Sequence, residues 1–192
     1  MGTRCSVFIA TSLDGFIART DGSIDWLDRA NATVQPGEDC GYAQFLHTID
    51  ALVMGRGTFE KVLTFPEWPY GAMPVYVLSH SIEQLPAGLP ETVQLSRESP
   101  AEVVRRASAS GHQHLYVDGG KVIQSFLAAG LITELTLTVI PVLLGSGLRL
   151  FGDLEADITL NVIASKVYPF GFVQNHYAVV TSRPHALDRQ PN

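Results

Sequence analysis

Two stretches of this sequence combine residue types that suit phosphate chemistry. The first is Tyr116-Val117-Asp118-Gly119-Gly120-Lys121-Val122, where an apolar strand pattern breaks at paired glycines and restarts as a helix pattern. A helix start carries unpaired N–H donors and the positive end of the helix dipole, and glycine lets an anion approach the backbone. The second is Leu52-Val53-Met54-Gly55-Arg56-Gly57-Thr58-Phe59, again an apolar run that enters glycines and a helix. A Gly-Gly turn alone is more often a plain connection, and the first stretch lacks the full spacing of a dinucleotide fingerprint. Two such cradles in one chain, one with an arginine, suit a ligand with several phosphates.

The elements that must hold these cradles follow from composition and pattern. With 192 residues, 46% hydrophobic and 17% charged, the chain has apolar material for one substantial domain and is short for two. Residues 1–182 read as that domain, and residues 183–192, polar with two prolines, as a frayed tail. A net charge of −6 without a dense Lys/Arg run argues against nucleic acid or an anionic membrane and favours a small-molecule substrate. Cys5 and Cys40 are the two cysteines, and no Cys/His pair has metal-ligand spacing, so neither a disulfide framework nor a metal site is expected. The chain opens on a strand-like run without a basic n-region, a long apolar stretch or a spanning segment, which predicts a cytoplasmic location.

Strand patterns, rich in β-branched and apolar residues, cover 5–10, 51–54, 75–78, 93–95, 114–117, 134–142, 158–166 and 171–180. Helix patterns cover 39–48, with Tyr42, Phe45, Leu46 and Ile49 on one face, then 100–109 and 122–129. The order alternates early and turns to strand at the end. It predicts an α/β fold: a mostly parallel central sheet, an antiparallel C-terminal hairpin and helices on both faces. The Asp-, Gly- and Asn-containing stretch 19–37 reads as a long loop of the kind that forms lids or binding loops.

Five segments in register carry a family resemblance. Ser12-Leu13-Asp14-Gly15-Phe16-Ile17-Ala18, Asp25-Trp26-Leu27, Asp50 to Phe59, Val117-Asp118-Gly119-Gly120 and Pro141-Val142-Leu143-Leu144-Gly145-Ser146-Gly147 resemble the dihydrofolate-reductase-like superfamily. Within it, the chain is similar to the C-terminal reductase domain of the bifunctional riboflavin-biosynthesis deaminase-reductase, from about residue 4 to residue 180. The resemblance implies NADPH as cofactor and hydride transfer to a heterocycle or an open ribosyl carbon. It places Gly55, Arg56 and Thr58 at the first cradle, with Arg56 near the adenosine 2′-phosphate; a forked guanidinium suits that group. A solvated surface arginine is the plain alternative. Ser79 and His80 match hydroxyl and donor positions at the same phosphate, although His80 also reads as an exposed loop histidine.

Gly119, Gly120, Lys121 and Val122 match the second cradle. Asp118 before them would repel a pyrophosphate, so it either faces ribose hydroxyls or caps the helix. Ala10, Ile17 and Ala18 match positions that wall the nicotinamide ring, and Trp26 an aromatic at the end of the loop over it; core packing explains all four equally. Asp39 and Thr138 match the carboxylate that helps protonate folate and the threonine that bonds to it. A partly buried acid held by a hydroxyl can have a raised pKa and deliver a proton as hydride arrives. Asp39 also reads as a first-turn acid that favours the helix dipole.

The chain departs from the riboflavin reductases where they hold a ribose phosphate. Phe8 stands at the position of their first-strand lysine, and Gln44-Phe45-Leu46-His47-Thr48 lacks their arginine. Each missing cation removes a charge-assisted contact of roughly 1.5–3 kcal/mol, which disfavours a phosphoribosyl substrate. The expectation is an NADPH-dependent reductase of a small, pterin- or pyrimidine-like heterocycle, with a nucleotide-binding protein of the same fold and no turnover as the alternative. The strongly apolar run 135–144 is too long for a solvated edge strand, so something covers it: the resemblance puts subunit contact there and a homodimer is expected, with loop 145–148 close to the interface and the active site, while the alternative is that the final hairpin 158–180 covers it within one chain.

Overall fold

The computed structural model describes residues 2–180, so the expected tail lies outside the described residues. Eight strands form one sheet. They are β1 (Arg4–Ser12), β3 (Ala51–Gly55), β4 (Val75–Leu78), β5 (Val93–Ser96), β6 (His114–Asp118), β7 (Glu134–Ile140), β9 (Leu160–Val167) and β10 (Val173–Val179). Their order is β5-β4-β3-β6-β1-β7-β10-β9, parallel as far as β7 and antiparallel through β10 and β9. β3 and β6 are buried at four successive residues each, because a central parallel strand is covered on both faces and must be apolar on both. Helices α2 (Tyr42–Leu46) and α3 (Arg56–Val62) contribute to the core on one face, α4 (Pro100–Ala109) and α5 (Gly120–Ala128) to that on the other.

This order sets the site. After β3 the chain passes through α3 to β4 on one side, and after β6 it passes through α5 to β7 on the other. Adjacent strands whose connections diverge leave a crevice at their carboxyl ends, which is where open α/β sheets bind ligands. Both glycine junctions lie there.

Several expectations change. The stretch 19–37 is not all loop. It contains α1 (Asp25–Asn31), which buries Trp26 to 2% exposure against Ile140, Tyr168 and Phe172. Trp26 is therefore a core residue that fastens this segment down. Helix 39–48 is shorter, because Cys40 and Gly41 both take positive φ values (56° and 83°) and break the helix path ahead of Tyr42. A second small sheet, β2 (Phe16–Ala18) with β8 (Leu148–Arg149), had no readable pattern at two or three residues per strand.

The position of 135–144 also changes. β7 is an inner strand, paired with β1 on one side and β10 on the other, so the chain's own hairpin covers it. The outermost strand on this side of the sheet is β9, on which Val162, Ile163 and Val167 are exposed.

Candidate functional site

The two junctions touch. Gly119, at φ 91°, sits so close to α3 that a Cβ would run into the Thr58 hydroxyl, and it would lie 3.9 Å from the Gly55 nitrogen. A Cβ on Gly55 would come within 2.9 Å of Val122, and one on Gly120 within 2.9 Å of Ile17 and 3.1 Å of the Arg149 carbonyl. Glycine at these three positions lets α3, α5, β2 and β8 pack closely against one another. Gly57 differs, since a Cβ there meets nothing within 4 Å. Neither α3 nor α5 is capped by a side chain, which leaves first-turn N–H groups as donors beside each other at the crevice.

Cations and hydroxyls flank this pair. Arg56 is half exposed, its Nε 3.8 Å from the Glu60 carboxylate, a surface ion pair weak enough to exchange for a phosphate. Lys121 is exposed. Leu78 is the register partner of Gly55, so the segment after β4 adjoins Arg56. There Ser79 is buried and its Oγ accepts from the Ser81 and Ile82 N–H groups (3.2 and 3.1 Å), while His80 is exposed. Ser79 therefore builds the turn that presents His80. Ile17 packs its Cδ1 toward Gly120, and Ala18 is buried beside it on β2.

On the sheet face toward α2, Ala10 and Thr138 are register partners. Thr138 is buried, and its hydroxyl accepts from Gln174 Nε2 (2.9 Å), which also donates to the Cys40 carbonyl (3.0 Å). Asp39 does not join them. Its carboxylate is exposed and accepts from the Gly41 and Ala43 N–H groups (2.8 and 2.7 Å), led by Ala43, bonds that hold its pKa below the ordinary value. Of the two readings of Asp39, this geometry matches the helix-start acid; the expected pairing with Thr138 is absent because the Asp39 carboxylate turns to the Gly41 and Ala43 N–H groups at the surface.

Another acid stands at the crevice. Asp118 is crowded by protein yet keeps a partly exposed face, and burial pushes its pKa up to about 6. Its Oδ1 accepts from the Gly119 N–H (2.8 Å). The Tyr116 hydroxyl donates to the Phe8 carbonyl (2.9 Å), and the Tyr42 ring meets the Tyr116 ring edge-on with centroids 6.4 Å apart. Burial raises the pKa of all three phenols, Tyr42 to about 12, and the Asp118 charge adds to each shift. Phe8 stacks on Phe45 at 5.0 Å and meets Tyr42 at 5.5 Å, an apolar floor next to this network.

A groove of about 480 Å³ continues along the same face, lined by Phe8, Phe45, Ser6, His114, Lys166 and Gln174 among others. Among the described residues no group of three or more His, Cys, Asp or Glu side chains could hold a metal ion.

A family model described as the RibD C-terminal domain matches residues 5–173. The chain belongs to the RibD C-terminal domain family. The uncharacterized protein YwjB of Bacillus subtilis (strain 168) is 36% identical over 181 residues, 92% of this chain and 98% of that one. A crystal structure of a putative riboflavin biosynthesis protein from Shewanella sp. PV-4 superposes with a TM-score of 0.86 at 40% identity, over 93% of this chain and 100% of the other. Dihydrofolate reductase from Enterococcus faecalis, complexed with NADP(H) and RAB-propyl, superposes with a TM-score of 0.61 over 93% of this chain and 97% of its own, at 19% identity. The fold is therefore the dihydrofolate-reductase-like α/β fold that the sequence predicts.

Within the RibD C-terminal domain fold of this chain, Asp14 has a role its motif alone did not reveal. Its carboxylate accepts from Ser12 Oγ (2.6 Å), from Leu144 N–H (3.1 Å) and from Gly145 N–H (2.7 Å), and these bonds, led by Ser12, lower its pKa to about 2. It ties the β1–β2 turn to the loop that leads into β8. The tyrosines that face Asp118 were also unread as a site, because Tyr42, Tyr70 and Tyr116 share no local pattern.

Proposed function

We propose that this protein is an NADPH-dependent reductase that transfers hydride to a small heterocycle of pterin or pyrimidine type. The observation that carries the reading is the contact between the two glycine junctions at the divergence of β3 and β6. It sets two uncapped helix starts side by side, the arrangement a pyrophosphate needs. The residues present fit a dinucleotide: the open backbone at Gly57, the N–H groups of Gly120, Lys121 and Val122, and the half-exposed Arg56. When bound, the reduced nicotinamide supplies a hydride.

The protein's own residues have distinct tasks in this reading. Arg56, with His80 and the Ser79 turn, recognises the 2′-phosphate through charge-assisted bonds. Gly55 and Thr58 hold the first junction against Gly119. Ile17, Ala18 and Ala10 exclude water from the ring, and Thr138 with Gln174 presents polar atoms to the substrate. The aromatic floor of Phe8 and Phe45 lies where a ribose phosphate would need a cation, which supports an uncharged heterocycle. The reading includes a cytoplasmic homodimer. Its support is the exposed apolar edge β9. No helix among the described residues is long and apolar enough to cross a membrane.

Fluorescence titration with NADPH and NADH, followed by turnover against a panel of pterins, pyrimidines and nitro-heterocycles, tests the proposal. Tight NADPH binding with oxidation by one of these classes is expected. NADPH binding without consumption by any substrate would establish the binding protein instead, and absence of binding would end both readings.

A further inference from the structure

A threonine hydroxyl has one proton to give and two lone pairs with which to accept. At Thr138 the neighbours show which of these is already in use. Its oxygen accepts from Gln174 Nε2 at 2.9 Å, and the same amide nitrogen donates to the Cys40 carbonyl at 3.0 Å. A backbone carbonyl can only accept, so the nitrogen end of the Gln174 amide must face Cys40, and both of its protons are then committed. The amide oxygen turns the other way and accepts from the Tyr168 hydroxyl at 3.3 Å. Thr138 is thus fixed as an acceptor toward Gln174, and its own proton is left over.

Among the described residues no acceptor takes that proton. Asp39, the acid whose spacing matched Thr138, spends its carboxylate on the Gly41 and Ala43 N–H groups, and Glu38 accepts from the Cys40 N–H at 2.7 Å. Thr138 is 5% exposed, so bulk solvent does little for it, and a buried donor without an acceptor is costly. Its position gives the proton a use. Thr138 lies between Ala10 and Gln174 in the sheet. The groove of about 480 Å³ on this face is lined by Phe8, Gly41, Cys40 and Gln174, the last two being the residues joined by the amide bond described above.

Resting on the reductase reading, we propose that Gln174, acting through Thr138, sets the specificity of this site for a heterocycle that turns a ring carbonyl, not an amino group, toward Thr138. A carbonyl oxygen there receives the leftover proton and completes the hydroxyl. An amino group in the same place would force the hydroxyl to turn its proton away, into surroundings that offer no acceptor. The ring nitrogen beside such an amino group does not rescue it, because that nitrogen is set back from the edge while the ring rests on Phe8 and Phe45. Thr138 is the contact, and Gln174 is a positioning residue whose amide decides the direction of the bond. Polarity is the consequence that separates this role from mere packing: a carboxylate at residue 174 would accept the Thr138 proton and turn the oxygen's lone pair toward the ring.

The test uses two rings that differ at one group, pterin and its analogue with an amino group in place of the ring carbonyl, titrated by calorimetry at a pH where both are neutral, with and without NADPH. Wild type should bind pterin more tightly by about tenfold or more, the cost of leaving one buried donor unpaired. Thr138→Ser should keep that preference and Thr138→Val should remove most of it. Gln174→Glu should invert it, while NADPH binding stays unchanged in all three variants. The two Thr138 variants decide the matter if Gln174→Glu does not fold. Equal affinities in wild type, a preference for the amino ring, a preference that survives Thr138→Val, or failure of both rings to bind would each overturn the proposal. The reductase reading fails separately: NADPH that is never oxidised, in a protein that still prefers the carbonyl ring, removes the reaction and leaves the recognition standing. Turnover of rings without regard to that group sinks the recognition alone.

Discussion

Gly119 and Thr58 lock the two glycine junctions together: no side chain larger than hydrogen fits at residue 119 while the Thr58 hydroxyl stays in place. The contact joins the starts of α3 and α5, so it is a packing constraint first and a binding feature second. Gly119→Ala should therefore destabilise the whole fold, through the collision and through the strain of an L-residue at φ 91°, by about 1–3 kcal/mol. Thr58→Ala in the same chain should recover part of that loss, since it removes the collision and leaves the strain. Urea unfolding of the single and double variants measures both terms, and strictly additive losses would show that the two residues do not interact.

On the reductase proposal, Arg56 is the residue that distinguishes NADPH from NADH. A charge-assisted contact to the 2′-phosphate is worth roughly 1.5–3 kcal/mol, so Arg56→Ala should weaken NADPH binding by more than tenfold and leave NADH binding nearly unchanged. Its side chain is half exposed and its partner Glu60 lies 3.8 Å away, so fold stability should be unaffected. Equal losses for the two cofactors would remove the 2′-phosphate assignment.

Much of the fold was legible because its evidence is local. β3 and β6 are unbroken apolar runs, and the 100–109 helix opens with Ser99, Pro100 and Glu102, a capping box with proline at the first turn. Pairing is not local. Nothing in residues 135–144 tells whether their outer neighbour is a second subunit or β10, and α1 is only seven residues long, too short to show through a polar stretch. The site divides in the same way. Each glycine junction could be read from its own residues, whereas the contact of Gly119 with Thr58, and the tyrosines around Asp118, join segments far apart in sequence. The spacing of Asp39 matched an acid that pairs with Thr138, but spacing does not tell which way a carboxylate turns, and here it bonds the Gly41 and Ala43 N–H groups.

His114 gives the fold a pH dependence. It is buried, its Nε2 is 2.7 Å from Ser6 Oγ and its Nδ1 is 2.9 Å from the Thr48 carbonyl, and burial, with the Arg4 charge second, lowers its pKa below 6.5. The native imidazole donates from Nδ1 to Thr48 and accepts the Ser6 hydroxyl at Nε2. The unfolded chain then takes up a proton near pH 6.5 that the folded protein refuses. Stability from this source is full above that pH and declines as pH falls below it. Chemical denaturation at pH 7.5 and 5.0 should show the decline in wild type and a smaller one in His114→Asn. An equally steep decline in the variant would move the effect to other groups.

Assembly turns on β9. Its eight residues form the outer edge of the sheet, and Val162, Ile163 and Val167 are 65, 53 and 72% exposed, which is more apolar surface than a solvated edge strand usually carries. Lys166 is the one charged residue on the strand, and it leans over the Tyr168 ring at 4.0 Å instead of guarding the edge. A second copy of the same strand, related by a two-fold axis, would pair the free backbone groups and cover the three side chains at once. Sedimentation at micromolar concentration should accordingly give twice the chain mass of 20.8 kDa. Ile163→Lys with Val167→Lys should reduce it to that single mass without loss of helix or strand content by circular dichroism. A wild-type protein that sediments at 20.8 kDa would show that β9 stays an open edge and that the site is complete within one chain.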